Sequence, residues 1–362
     1  MKQNSIPFMF FRGGTSRGPY FRSDDLPQDR DKLSEVLIAV IGAGNIRNID
    51  GLGGGSSVTT KVAILSKSTE PDADVEYLFA QVGVDKKLVD FGPTCGNILV
   101  GVGPAALEMG LVPTTGDKTK VRIRATNTNA LVESVIETPG GVVNYEGNVA
   151  IDGVPGKSSP IALNFLNIVG SKTGKMFPTG NKIDIIQGIP VTCIDVAMPM
   201  MIARAEDFGI SGYESAQELD ENKELFSRME AIRIEAGQMM GMGDVRAQVT
   251  PKIGLVSKAR NNGHFSSRYF MPWNAHPSMA ITGSQCLAAC YLAPGTVSDD
   301  LRKNTEGSSL EMVIEHPLGE MKIMVTYDYK DGELDFHSAG VVRTARLIAE
   351  GNVFIPRTIS VN

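Results

Sequence analysis

The sequence predicts an α+β fold of two similar halves, each built of strands around one buried helix. Three observations predict it. Two runs of small, nearly uncharged residues, 96–109 and 279–294, are long enough to be helices. A helix with almost no charge must be packed on several sides, so each run marks the middle of a core. Segments rich in β-branched and aromatic residues flank both runs, and they follow one another in the same order twice.

Taken in order, IPFMFFR (6–12) reads as a strand, Gly13 and Gly14 as a turn, and residues 30–43 as a helix with apolar positions at 3.6 spacing. KVAIL (61–65) and VEYLFAQVG (75–83) read as strands leading to the first small-residue helix. VRIRAT (121–126) and ALVESVIET (130–138) follow it as strands. The second half repeats this order. IPVTCIDVAM (189–198) answers the first strand, and residues 218–241 answer the first helix, with acidic residues in the early turns where the helix dipole favours them. KIGLVSK (252–258) answers KVAIL, HFSSRYFMP (264–272) answers VEYLFAQVG, and residues 279–294 form the second buried helix. SLEMVIEH (309–316) and MKIMVTYDY (321–329) close the series. The expected division is 1–185, carrying Lys61 and Cys95, and 186–362.

Composition bounds the function. With 362 residues, 42% apolar and 21% charged, the chain has room for one large or two ordinary domains. A formal charge of −6 provides no basic field for nucleic acid or an anionic membrane surface, so an anionic ligand must be held locally. Cys95, Cys193, Cys286 and Cys290 are irregularly spaced and form neither a disulfide framework nor a CxxC pair, which points to a reducing compartment. The stretch PFMFF is too short for a signal-peptide core and no apolar run reaches membrane-spanning length, so a cytoplasmic location is expected.

The buried helices begin at TCGN (94–97) and ITGS (281–284), both small and polar. Uncovered N–H groups and the helix dipole make such a start a carboxylate or phosphate site, and two of them facing each other would hold a di- or tricarboxylate. Cys95 stands where a helix dipole favours a thiolate, which makes it a usable acid or base. Cys193 in a strand, and Cys286 with Cys290 one turn apart in a helix, read as packing residues. GLGGGSSVTTK (51–61) is no Walker loop, because Thr60 precedes the lysine, and Arg47 occupies the third glycine position of a GxGxxG in GAGNIR (42–47). Its glycines and serines still admit a ligand close to backbone donors. Lys61 follows at a strand start. It is a base if desolvated or crowded by positive charge, and otherwise a surface lysine.

FRGGTSRGPYF (11–21), SSVTTKVAIL (56–65) and GPTCGNILVGVGPAALEMGLV (92–112) resemble the methylaconitate isomerase family. Its members share the diaminopimelate epimerase-like fold, in which mixed and antiparallel sheet wraps a central helix in each half. The likeness continues through GMGDV (241–245), TPKIGLV (250–256), HPSMAITGSQCLAACYLAPGTV (276–297) and RTARLIAEGNVFIP (343–356), nearly the whole chain. It implies cofactor-independent isomerisation by an allylic proton shift in an unsaturated di- or tricarboxylic acid, in a cleft between the halves, with the family's lysine and cysteine matching Lys61 and Cys95. Racemases of this fold use a cysteine at each helix start. Here Thr282 and Gly283 occupy the second start and Cys286 lies about a turn inside, which argues against racemisation. GMGDVRAQVTPKIGLV (241–256) and NAHPSMAITGSQCLAACYLAPGTV (274–297) look more like the 4-oxalomesaconate tautomerase branch, from bacterial gallate and protocatechuate catabolism, than the 2-methyl-aconitate branch of propionate metabolism.

The roles this implies are Lys61 as base on the allylic carbon and Cys95 as the group that protonates or guides the intermediate; the reverse order stays open. Thr15, Ser16, Ser56 and Ser57, with the N–H groups of Gly96 and Asn97, would hold one end of the substrate and stabilise a dienolate as an oxyanion hole does. Arg268, His276, Ser278, Thr282 and Gly283 would hold the other. Arg268 reads as a clamp or as a solvated strand residue, in which case Arg12 supplies the bidentate carboxylate contact. His276 reads as a binding residue or as a capping one. His264, His316 and His337 show no metal-ligand spacing and read as structural, and no metal or cofactor is expected. The alternative class is a catalytically silent carboxylate-binding protein. Plain binding would need neither a thiolate nor a neutral amine, so the presence of both Lys61 and Cys95 argues against it. The sequence admits a homodimer without requiring one.

Overall fold

The computed structural model describes residues 3–151, 153–271, 273–303 and 307–361. In chain order it contains strands β1 (Asn4–Gly13) and β2 (Ser16–Arg22), helix α1 (Arg30–Ile41), strands β3 (Lys61–Lys67), β4 (Val75–Val82) and β5 (Val89–Asp90), helices α2 (Gly96–Val100) and α3 (Val102–Glu108), and strands β6 (Lys118–Ala125), β7 (Ala130–Glu137) and β8 (Ile161–Leu166). There follow β9 (Asp184–Ile186), β10 (Ile189–Val196), β11 (Met198–Arg204), helices α4 (Ala216–Glu221) and α5 (Lys223–Met239), β12 (Lys252–Lys258), β13 (Phe265–Phe270), helix α6 (Ile281–Leu292), and strands β14 (Ser309–His316), β15 (Gly319–Lys330), β16 (Glu333–Arg343) and β17 (Ala345–Ile355). Pro272, the last residue of the strand expected over 264–272, lies outside the described residues.

Two compact units form, one of residues up to Phe165 together with those from Val342 onward, the other Leu166–Val341. This corrects the expected division at 185/186. β17 pairs antiparallel with β1 from Asn4↔Ile355 to Gly13↔Ala345 and so returns the C-terminus to the first unit. β9 pairs with β10 and draws the segment before residue 186 into the second.

The expected doubling is present in the ladders. In the first unit β1/β2 is antiparallel, β2/β3 parallel, β3/β4 antiparallel, β4/β6 parallel and β6/β7 antiparallel. In the second, β10/β11, β11/β12, β12/β13, β13/β14 and β14/β15 repeat that alternation. α2–α3 and α6 occupy the same place in the two series, before the fifth strand of each. Val62 and Ile64 pack with Val36, Leu37 and Val40 of α1, so by strand alternation Lys61, Ala63 and Leu65 face the central helix. Ile253 and Leu255 likewise pack with Met229, Ile232 and Ala236 of α5, while Gly254 lies against Leu287 of α6.

Two expected helices are broken. Residues 96–109 divide at Gly101, because Pro104 has no N–H for the ladder and its ring conflicts with the carbonyl four residues back. The Tyr20 hydroxyl donates to the Ile98 carbonyl at 2.5 Å, and a Cβ at Gly101 would lie 2.4 Å from that hydroxyl oxygen. Residues 218–241 divide at Asn222, whose side chain accepts from the Leu225 N–H and starts a new helix, while Ser215 and Glu218 form a capping box on α4.

Candidate active site

Lys61 opens β3, half-buried, directly across from Gln81. Its Nζ donates to Gln81 Oε1 at 2.9 Å and lies 5.1 Å from the centre of the Phe79 ring. The Gln81 amide nitrogen faces acceptors: the carbonyls of Ser57 (3.2 Å), Thr60 (3.4 Å) and Val82 (3.3 Å). Those acceptors require an NH2 group, so the oxygen must point at the lysine. Among the described residues no carboxylate forms an ion pair with Lys61. Phe79 is held in turn by Asn127, which accepts from its N–H at 2.8 Å and donates to its carbonyl at 2.9 Å. Gln81 and Asn127 were not singled out in the sequence. Gln81 is a lone amide in an apolar strand, a signal that acquires meaning only with the strand register.

Cys95 is the N-cap residue of α2, half-buried, with no side chain capping the first turn. Its carbonyl accepts from the Leu99 N–H at 2.9 Å and from the Tyr77 hydroxyl at 3.5 Å. Burial, then interaction with Cys95, pushes the Tyr20 and Tyr77 hydroxyls well above the ordinary tyrosine range, so both stay protonated. The other cysteines are different. Burial raises Cys193 to about 12 and Cys290 to about 11, and holds Cys286 well above the ordinary thiol range.

The turn between β1 and β2 seats on the start of α2. A Cβ at Gly13 would meet the Asn97 carbonyl oxygen at 2.3 Å, and one at Gly14 (φ +51) the Asn97 Oδ1 at 2.1 Å. Both glycines are therefore required by the close approach. Asn97 Nδ2 donates to Thr15 Oγ1 at 3.0 Å and the Thr15 N–H donates to Asn97 Oδ1 at 3.4 Å. Ser16 is buried, and its hydroxyl has no partner among the described residues. The Arg17 N–H donates to the Val58 carbonyl at 3.0 Å, which ties this turn to the serine loop, where Ser56 and Ser57 are exposed. Buried Asn48 organises that loop, donating to the carbonyls of Gly42 (3.2 Å) and Val84 (3.1 Å) and accepting from Gly55 (2.9 Å). Thr15, Ser16, Asn97 and the serine loop thus meet around one turn. Arg12 braces it, its Nη1 donating to the carbonyls of Gly14 and Thr344 at 2.9 Å each.

In the second unit Arg268 is buried and committed to main chain, donating to the carbonyls of Glu214 (2.6 Å) and Ser267 (3.0 Å). It is not the solvated strand residue that the alternative reading offered. Gly283 is explained by packing, since a Cβ there would lie 2.6 Å from the Tyr269 ring. The His276 ring stands edge-on to Tyr269 at 5.8 Å, and its Nδ1 accepts from the Ser278 N–H at 3.0 Å. Thr282 is exposed in the first turn of α6, whose N-cap position is Ala280, so no side chain caps it. No helix of the described residues is long and apolar enough to cross a membrane.

The class of this protein follows from its relatives, which are isomerases. The chain belongs to the PrpF protein family, which matches residues 3–356. Among its relatives, the (4E)-oxalomesaconate Delta-isomerase of Novosphingobium sp. (strain KA1) is 43% identical over 97% of this chain and 98% of its own length. The 4-oxalomesaconate tautomerase of Pseudomonas putida is 43% identical over 99% and 98%, and the 2-methyl-aconitate isomerase of Shewanella oneidensis 30% identical over 98% of each. The crystal structure of a methylitaconate-delta-isomerase superposes with a TM-score of 0.88 at 32% identity, covering 99% of this chain and 97% of that one.

Proposed function

We propose that this isomerase moves an allylic proton in an unsaturated tricarboxylic keto acid, with 4-oxalomesaconate as the substrate, as a step of aromatic-compound catabolism. The observation that carries the reading is the setting of Lys61, whose hydrogen-bond partner among the described residues is the neutral Gln81 oxygen. A neutral acceptor fixes the direction of Nζ without adding a charge beside it, whereas a carboxylate in place of Gln81 would form an ion pair with it. In the proposed step Lys61 takes the allylic proton and becomes ammonium, the electron pair moves into a dienolate, and the Cys95 thiol returns a proton at the far carbon. Proton exchange with solvent then restores both groups. The two Oγ atoms of Thr15 and Ser16 and the N–H groups of Gly96 and Asn97 supply the donors for the substrate oxygens. Identity supports the substrate: the two oxalomesaconate relatives stand at 43%, the 2-methyl-aconitate isomerase at 30%.

The test is proton NMR in D2O with 4-oxalomesaconate and, separately, 2-methyl-aconitate, using wild type, Lys61→Met and Cys95→Ser. Fast conversion of the first acid, with deuterium entering one carbon and lost in both variants, is expected. Turnover of only the methylated acid would replace the substrate, and full activity in either variant would remove that residue from the mechanism.

A further inference from the structure

Asn127 stands half-buried in the turn between β6 and β7, and its amide reaches outside that hairpin. Its Oδ1 accepts from the Phe79 N–H at 2.8 Å, and its Nδ2 donates to the carbonyls of Phe79 at 2.9 Å and Phe91 at 2.6 Å. An asparagine that only shapes a turn bonds to main chain close by in sequence, whereas these partners are 48 and 36 residues distant. The reason lies in β4. β6 runs beside β4 as far as Tyr77↔Ala125, and β5 pairs with it at Gln81↔Asp90 and Val82↔Val89, so Phe79 falls in the gap between the two ladders. The Asn127 amide fills that gap as a peptide group would, meeting both main-chain groups of Phe79 and passing a third bond to Phe91.

Both ends of this bridge lead to the candidate catalytic groups. Tyr77, Phe79 and Gln81 alternate onto one face of β4. The Gln81 oxygen accepts from Lys61 Nζ, the Phe79 ring centre lies 5.1 Å from that nitrogen, and the Tyr77 hydroxyl donates to the Cys95 carbonyl at 3.5 Å. Phe91 opens the segment FGPTC (91–95) that carries the chain from β5 to Cys95. At its start the Gly92 N–H donates to Asp90 Oδ1 at 2.8 Å, and the Arg30 guanidinium lies 4.7 Å from the centre of the Phe91 ring. Asn127 therefore joins a segment already fixed at its start to the strand that faces Lys61. We propose that Asn127 is a positioning residue for the proton shift: by tying Phe91 to Phe79 it sets the place of the Cys95 thiol relative to the Lys61 amine. All of these residues lie in the first unit. The inference rests on the roles of Lys61 and Cys95 proposed above and adds the residue that holds the two in register.

The test follows deuterium in D2O with 4-oxalomesaconate, or with 2-methyl-aconitate if that is the acid wild type converts, using wild type, Asn127→Ala and Thr128→Ala. Once Lys61 has taken the allylic proton and exchanged it with solvent, the dienolate either receives a deuteron back at the original carbon or receives one at the far carbon through Cys95. The first fate appears as deuterium in recovered substrate and the second as conversion, and their ratio does not depend on how much protein is folded. Displacing a reacting group by about 1 Å costs on the order of a hundredfold, so Asn127→Ala is expected to lower kcat by about that factor with KM within a few-fold, and to raise the ratio by about tenfold. Thr128→Ala, an exposed change in the same turn, is expected to match wild type in both. Iodoacetamide labelling of Cys95 is expected to quicken several-fold in Asn127→Ala as the 91–95 segment is released. Exchange and conversion that fall by one common factor would overturn the inference, as would an unchanged kcat. If wild type turns over neither acid, the reading of the reaction falls by itself, and labelling still decides whether Asn127 sets the place of Cys95: an unchanged rate overturns the inference.

Discussion

Lys61 and Lys252 begin corresponding strands and face corresponding helices, yet only Lys61 has a partner in the antiparallel ladder beside it. Lys61 has a ladder partner across from it, Gln81, whose oxygen fixes the amine. The β12/β13 ladder ends at Ile253↔Phe270, one residue short of Lys252, so Lys252 has no ladder partner in β13. A duplicated backbone therefore repeats the places but not the chemistry. A single cross-strand neighbour, Gln81, distinguishes the setting of Lys61 from that of Lys252.

The sharpest way to break this comparison is to truncate the lysine that has the partner. Lys61→Met is expected to lower kcat by about three orders of magnitude at nearly unchanged melting temperature, the scale of a lost acid–base group. The reading of Lys61 as a base fails if its loss appears in KM instead. Next in size is the thiol pattern. With Cys290 near 11, Cys193 near 12 and Cys286 held well above the ordinary thiol range, these three should resist iodoacetamide at pH 8 in the folded protein, while half-buried Cys95 labels first and is protected by substrate. Mass spectrometry that finds Cys193 or Cys286 labelled as early would remove the distinction. Gln81→Leu keeps the strand but releases Lys61, and about a tenfold fall in kcat with little change in KM is expected; Gln81→Glu should cost more, since it pairs the ammonium.

A smaller effect concerns the seat of Lys61. A Cβ at Gly18 would stand 1.8 Å from the Lys61 carbonyl oxygen, so Gly18→Ala must push β2 from β3. Destabilisation of about 1–3 kcal/mol is expected, read by urea unfolding. The smallest belongs to the histidines. Burial, first among the causes, holds His264, His276 and His316 below the usual 6.5. The folded state favours their neutral form, so the stability they contribute is complete above about pH 6.5 and is lost as pH falls through the folded values. The melting temperature should be level from about pH 8 to about pH 7 and decline below; a level curve down to about pH 5.5 would remove burial as the dominant influence on these rings.

Much of this was legible in the residues. The order of strands and buried helices could be read twice over because periodicity and side-chain branching are local properties, and the glycines of RGGTS announced a turn. Cys95 was legible because a cysteine among Gly92, Pro93 and Gly96 stands outside any apolar run. Strand β2 was not: residues 16–22 carry no strand signal of their own, and the carbonyl of Lys61 fills the space where a Gly18 side chain would be. Nor was the commitment of Arg268 to the Glu214 carbonyl, because the acceptor lies 54 residues away. By itself the sequence determined the fold class and the doubling, both set by spacing along the chain, and it singled out Lys61 through a family resemblance and Cys95 through its neighbours. Only the tertiary structure decided that β17 closes the first unit and that Gln81 meets Lys61, because each depends on which distant residue lies across a strand.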